Sequence, residues 1–314
     1  MLHKKFHKTK LSMLILASIA ISLTACGGGG GGGSSPSAAA NTLTGVAVDG
    51  YLQGSTVFLD INRNGLADAG EPVTSTDLSG RYALDYSAVT GSVSGLPIVV
   101  TGGVDSDTGF AFAGKLSAPV ESVSQAQVVT PMTTLVDTMV SQGLAADVPA
   151  AKQKVANALG LSVDQLATDP VAAIANNPGI YTTAVALQRS IQMLASANAR
   201  TGESSHESQE RVVRALATAI RSQNSAVNVS QLVASLPLQS SASAQELASA
   251  LSNSVRTGVN SGGHDGAKAA LKAMDEVRTR MESEHDYSMT RAANKIDSER
   301  GRSTSLYPTP RSRV

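Results

Sequence analysis

From Asp60 to Glu71 the chain reads Asp-Ile-Asn-Arg-Asn-Gly-Leu-Ala-Asp-Ala-Gly-Glu, a run that restricts its surroundings more than any other in the sequence. Asp60, Asn62, Asn64, Asp68 and Glu71 stand at positions 1, 3, 5, 9 and 12 of a twelve-residue loop, with Gly65 at position 6 and the Leu66 carbonyl at position 7. Calcium is a hard cation that takes about 6–8 oxygens at about 2.3–2.6 Å. A loop wrapped around it turns alternate residues inward and places glycine at the sharpest bend. The carboxylates of Asp60, Asp68 and Glu71 offset the charge of the ion. The spacing therefore predicts a calcium site made by Asp60, Asn62, Asn64, Leu66, Asp68 and Glu71.

What flanks the loop decides what such a site is for. Apolar residues recur with a period of two at Leu43, Val46 and Val48, Val57 and Leu59, Tyr82 and Leu84, Ile98 to Val100, and Phe110 and Phe112, with Gly, Asp, Asn and Ser clusters between them. This pattern predicts a small antiparallel β-sandwich over residues 42–119, with the loop joining two strands. A calcium sensor instead places its loop between two helices that open when the ion binds. Strands on both sides make the loop a structural clasp.

After Thr130 the period becomes helical. Leu135, Val136, Met139 and Val140 share one face; Ile180, Ala184, Leu187, Ile191 and Leu194 share another, as do Val212, Val213, Leu216 and Ile220. Ser162 with Gln165, Ser204 with Glu207 and Ser243 with Glu246 have capping-box spacing and mark expected helix starts. With 3% aromatic residues and no Trp, a core here must be built from Ala, Val, Leu, Ile and Met. The expected fold class is α+β: the sheet domain, then an Ala-rich α-helical domain over 120–262 whose apolar faces form a core. A long charged amphipathic helix is expected over 263–300 and a disordered tail over 301–314. The narrow stripe of the 265–300 helix suits packing on the bundle, self-association or a partner.

The residues around the loop also carry a resemblance. Gly45-Val46-Ala47-Val48-Asp49-Gly50, Val57-Phe58-Leu59-Asp60, Gly70-Glu71-Pro72 and Thr76-Asp77-Leu78-Ser79-Gly80-Arg81-Tyr82 resemble the B-type repeat domains of serine-aspartate-repeat surface proteins. They are also similar to the prealbumin-like modules of collagen adhesins and carboxypeptidase regulatory-like domains. The resemblance implies a small β-sandwich whose loops are held by calcium, serving as a spacer or stalk at a cell surface. It covers residues 43–86, and the chain departs from it by lacking tandem copies and continuing into helices. Further on, Asp105 and Asp107 stand at alternate positions in a Gly-rich turn. They form a second candidate cation site, or else the turn of a hairpin.

The amino terminus places His3, Lys4, Lys5, His7, Lys8 and Lys10 before an apolar run from Leu11 to Leu23. This layout reads as an export signal over 1–25, too short to span a bilayer well. Leu23-Thr24-Ala25-Cys26 resembles a bacterial lipobox, which implies lipidation of Cys26, the only Cys in the chain. Seven glycines and a Ser/Pro/Ala stretch make residues 26–41 a flexible tether. Gly27, which is not Asp, implies transit to the outer membrane. The membrane is thus an expected partner, reached through Cys26.

Charge narrows the remaining partners. Beyond the leader's four lysines, 21 basic residues face 25 acidic ones: residues 26–190 hold 13 acids and 6 bases, and residues 191–314 hold 12 acids and 15 bases. An acidic front half suits a cation, and the weakly basic rear argues against nucleic acid. Catalytic patterns are absent. His206-Glu207-Ser208-Gln209-Glu210 has Glu where a helical zinc motif needs its second His, and there is no nucleophile elbow or phosphate loop. His206, His264 and His285 are expected on solvated helix surface. So are the acid pairs Asp275 with Glu276 and Glu282 with Glu284. The sequence as a whole reads as a non-enzymatic, exported, lipid-anchored envelope protein. It would bind a protein or glycan surface partner, in adhesion or envelope assembly; the alternative is an accessory or regulatory component of a secreted enzyme.

Overall fold

The computed structural model describes residues 41–223, 226–237, 241–283 and 288–306. The expected export signal, Cys26 and all but the last residue of the tether lie outside the described residues, as does His285; nothing is described of the Glu282 and Glu284 side chains. The fold is α+β.

Alternation along the strands builds two sheets on one core. In β1 (Thr42–Ala47) and β5 (Arg81–Asp85) the pleat sends Leu43, Tyr82 and Leu84 inward, while Arg81 and Asp85 face solvent. They pair antiparallel, Leu43 opposite Leu84. The second sheet runs β4 (Val73–Ser75), β3 (Thr56–Leu59), β6 (Pro97–Thr101), β8 (Lys115–Pro119), all antiparallel. Val57, Leu59, Ile98, Val100 and Leu116 join Leu43, Tyr82 and Leu84 in a single apolar cluster. A short ladder pairs β2 (Leu52–Gln53) with β7 (Val104–Asp105). Ala111 makes an isolated bridge to Val104, so the expected strand at Phe110 and Phe112 reduces to that contact.

Two features of the sheets differ from expectation. The sheet region extends past residue 119, because β9 (Gln127–Val129) returns to pair with β1, and it pairs in parallel. The small sheet is therefore mixed. The residues of β6 are buried on both sides: Ile98 and Val100 belong to the sheet core, while Val99 and Ser117, opposite one another, lie on the other face. Helix α1 (Pro131–Ser141) covers that face; Thr134 accepts from the Ser117 amide at 2.9 Å.

The helices start where local capping chemistry permits. Thr130 caps α1 in a reciprocal box with Thr133, with Pro131 at the first helical position. Asp147 caps α2 (Val148–Leu159), which ends at left-handed Gly160. Ser162 with Gln165 opens α3 (Val163–Leu166), and Asp169 caps α4 (Pro170–Ala173). Then follow α5 (Pro178–Ala197), α6 (Ser205–Arg221) opened by Ser204 with Glu207, and α7 (Val229–Ala234) opened by Asn228 with Gln231. Ser243 with Glu246 opens nothing, since α8 (Ser241–Ser283) already includes both.

The expected long helix over 263–300 is broken and belongs to two elements. Gly262 and Gly263 leave helical geometry inside α8, with Gly263 at φ 58°, and the chain folds back so that Gly258 and Gly266 meet backbone to backbone. Only a residue without a Cβ allows that approach. A last helix, α9 (Met289–Leu306), carries helical structure six residues into the expected tail; residues 307–314 lie outside the described residues. Ala270, Met274, Val277, Met281, Met289, Ala292 and Ile296, the stripe noted in the sequence, are buried in the core shared with α1, α2, α5, α6 and α7. No helix among the described residues is long and apolar enough to cross a membrane.

Candidate functional site

The loop between β3 and β4 closes on itself through its own side chains. Asp60, only 3% exposed, accepts from the Asn64 amide at 3.1 Å and the Gly65 amide at 2.8 Å. Glu71 reaches back to the Ile61 amide at 2.7 Å and the Asp68 amide at 3.1 Å. Asn62 and Asn64 both donate their side-chain amides to one oxygen of Asp68, at 2.7 and 2.6 Å. Gly65 takes φ 75°, as the sharp bend requires, and Arg63 at φ 60° is held by donation to the Gly95 carbonyl at 2.7 Å. Leu66 is exposed, and its amide donates to Asn64 Oδ1 at 2.7 Å.

Asn62, Asn64 and Asp68 thus meet at one point, with Asp60 and Glu71 bracing the two ends of the loop. A cation at that point needs amide oxygens where the amide hydrogens now stand, a half-turn of each Asn side chain that gives up their backbone hydrogen bonds. Oxygen is the donor type that calcium takes, and the set offers it from five side chains. Among the described residues, no group of three or more His, Cys, Asp or Glu side chains is placed to hold a metal ion.

The acids of the second candidate cation site meet partners within the chain. Asp105 Oδ2 accepts from Arg189 at 2.8 Å, and Asp105 Oδ1 accepts from the Gly50 and Asp107 amides. Asp107 accepts from the Tyr181 hydroxyl at 2.6 Å and pairs with His264 Nε2 at 2.9 Å, with Lys268 4.0 Å away.

These pairs belong to a buried charged network that sequence reasoning missed. Arg189 of α5 is 3% exposed and faces Asp105, Asp275 of α8 at 3.2 Å, and Asp49 at 3.7 Å. The apolar stripe of α5 is therefore interrupted: Gln188, Arg189, Ser190 and Gln192 are all buried among it. Asp275, expected on a wetted face, is 2% exposed, and it also accepts from Arg278. His264, expected in solvent, stacks edge-on against Tyr181 with ring centroids 5.7 Å apart. His206 stays exposed, as expected. One signal was legible, a polar run from Gln188 to Gln192 inside an otherwise apolar helix.

Burial and charge set the protonation of this network. Desolvation pushes the Asp49 carboxyl up to about 7, against the pull of Arg189 and with help from Asp105, Asp275 and Asp107. Both Asp49 oxygens are buried without a hydrogen-bond partner. Burial disfavours the charge of Arg189, yet Asp49, Asp275 and Asp105 outweigh it and hold the guanidinium further into its protonated range. Burial likewise works against Asp107, but the bonds to His264 and Tyr181 keep its carboxyl below the usual range. The network ties α5 and α8 to Asp49 and to β7.

No protein-family model matches this chain, and no curated protein and no solved structure matches it.

Proposed function

We propose that this chain is a lipid-anchored, non-enzymatic protein of the bacterial cell envelope, in which the loop Asp60–Glu71 binds calcium and clasps a β-sandwich-like domain of prealbumin type. The observation that carries this reading is the convergence of the loop: two amides on Asp68, with Asp60 and Glu71 holding backbone amides at either end. Calcium acts on stability, since the loop joins neighbouring strands of one sheet and moves no helix pair. The tether after Cys26 holds the domain off the outer membrane, and the Ala-rich helices are packed behind the sheet as a bundle. Its role is surface binding, adhesion or envelope assembly, with a protein or glycan partner.

Three carboxylates and two Asn correspond to the affinity of extracellular calcium modules, on the order of 0.1–1 mM. At about 100 times its dissociation constant, a ligand stabilises the folded state by about 2.7 kcal/mol. Thermal melts with and without millimolar calcium test the reading. The melting temperature is expected to rise with calcium in the native chain and to stay put in Asp60→Asn and Glu71→Gln. A melt indifferent to calcium in all three proteins defeats it.

A further inference from the structure

A cavity of about 230 Å³ lies between the loop, strands β6 and β8, and helices α1, α5 and α6. Val99, Ile191 and Val213, all buried, supply its apolar wall. Asp60 and Asn64 of the loop form part of the opposite side. Asp137 and Gln188 also line it and are only 8% and 2% exposed. One Asp137 oxygen accepts from the Ser117 hydroxyl at 2.6 Å; the other, Oδ1, is buried with no hydrogen-bond partner. Buried carboxylate oxygens are normally satisfied, so one without a partner, in a side chain that lines a cavity, asks for a donor.

The charges around this space are sorted by depth. The acids Asp60 and Asp137 are buried, whereas Arg63 and Arg214 are exposed and Glu210 is half-buried. Lys115 pairs with Glu210, which Arg214 also approaches at 3.3 Å. Burial raises the Asp137 carboxyl above its usual range, and Asp60 adds to the rise; the Ser117 hydrogen bond and the cations Arg63 and Lys115 oppose it without cancelling it. The interior thus lacks positive charge, while at the mouth three cations outnumber Glu210. At 230 Å³ the space falls below the roughly 300–1,000 Å³ typical of sites for drug-sized ligands, which limits the occupant to a small molecule.

We propose that this cavity binds a free aliphatic α-amino acid, with its ammonium on Asp137 Oδ1, its side chain against Val99, Ile191 and Val213, and its carboxylate among Arg63, Lys115 and Arg214. An ammonium gives Asp137 the donor and the counter-charge that it lacks, and the zwitterion matches a site acidic inside and basic at the mouth. The site is independent of the calcium reading, although the loop contributes to its wall.

Isothermal titration of the full chain with leucine, isoamylamine and isovalerate tests the assignment, each run with saturating calcium and again in EDTA. Leucine is expected to bind saturably, isoamylamine more weakly, and isovalerate at least tenfold more weakly than leucine. Asp137→Asn, which keeps the shape and the Ser117 contact, is expected to lose at least tenfold in leucine affinity with an unchanged circular dichroism spectrum. Isovalerate binding as tightly as leucine, undiminished leucine binding by Asp137→Asn, or no binding of any of the three at millimolar concentration overturns it. If the variant does not fold, the three-compound series on the unaltered chain decides. Leucine binding by a protein whose melt ignores calcium supports this site and removes only the clasp.

Discussion

Replacing Asp49 by Asn should make the protein more stable at pH 8 and remove part of its pH dependence. Asp49 is buried, and neither of its oxygens finds a hydrogen-bond partner among the described residues. Its ion pair with Arg189 at 3.7 Å is longer than those made by Asp105 at 2.8 Å and Asp275 at 3.2 Å. The carboxyl is raised from 3.8 to about 7, first by desolvation. A carboxyl whose pKa is higher in the folded state binds more protons there than in the unfolded chain at intermediate pH. Stability therefore falls as pH rises from about 4 to about 7, and the full penalty stands above that window. At about 1.4 kcal/mol per pKa unit, the penalty is on the order of 4 kcal/mol. Asn keeps the shape without the charge, and Arg189 retains two closer carboxylates. Urea unfolding of both proteins at pH 5 and pH 8 measures the effect, because subtracting one profile from the other removes the groups they share. The variant should gain on the native chain as pH rises. Parallel profiles, or a variant less stable at pH 8, would refute the assignment of a buried, poorly compensated charge to Asp49.

Other outcomes follow from the same packing. Arg189→Met leaves Asp49, Asp105 and Asp275 buried without their common partner, and breaking a buried ion pair from one side costs about 3–5 kcal/mol; denaturant midpoints measure it, and a loss under 1 kcal/mol contradicts the network as described. Gly258→Ala would place its methyl 2.5 Å from the Gly266 carbonyl oxygen, a forced overpacking worth about 1–3 kcal/mol; a thermal melt equal to that of the native chain would mean that the two halves of α8 do not touch there.

The loop's turn was legible in the sequence because it is local: the glycine bend falls within one short run, and Gly65 takes the positive φ that the spacing implies. The helix starts at Ser162 and Ser204 were legible for the same reason. Ser243 misled because a capping spacing also occurs inside a helix already begun at Ser241. The charged network was hidden by separation along the chain, since Arg189 meets partners 84 and 86 positions away. Seen alone, Asp275 sits in a charged helix and Asp105 in a polar turn, and each reads as solvated. Only the fold-back at Gly262 and Gly263, together with the seating of α8 on α5, buries them together. The return of β9 to β1 was obscured by its three residues, too few to show a period.

Calorimetric titration of calcium into the full chain, beside Asp60→Asn, is the most direct test of the clasp. One site per chain is expected, with a dissociation constant on the order of 0.1–1 mM and heat that disappears in the variant. Equal heat from both proteins, or none from the native chain at millimolar calcium, would contradict it.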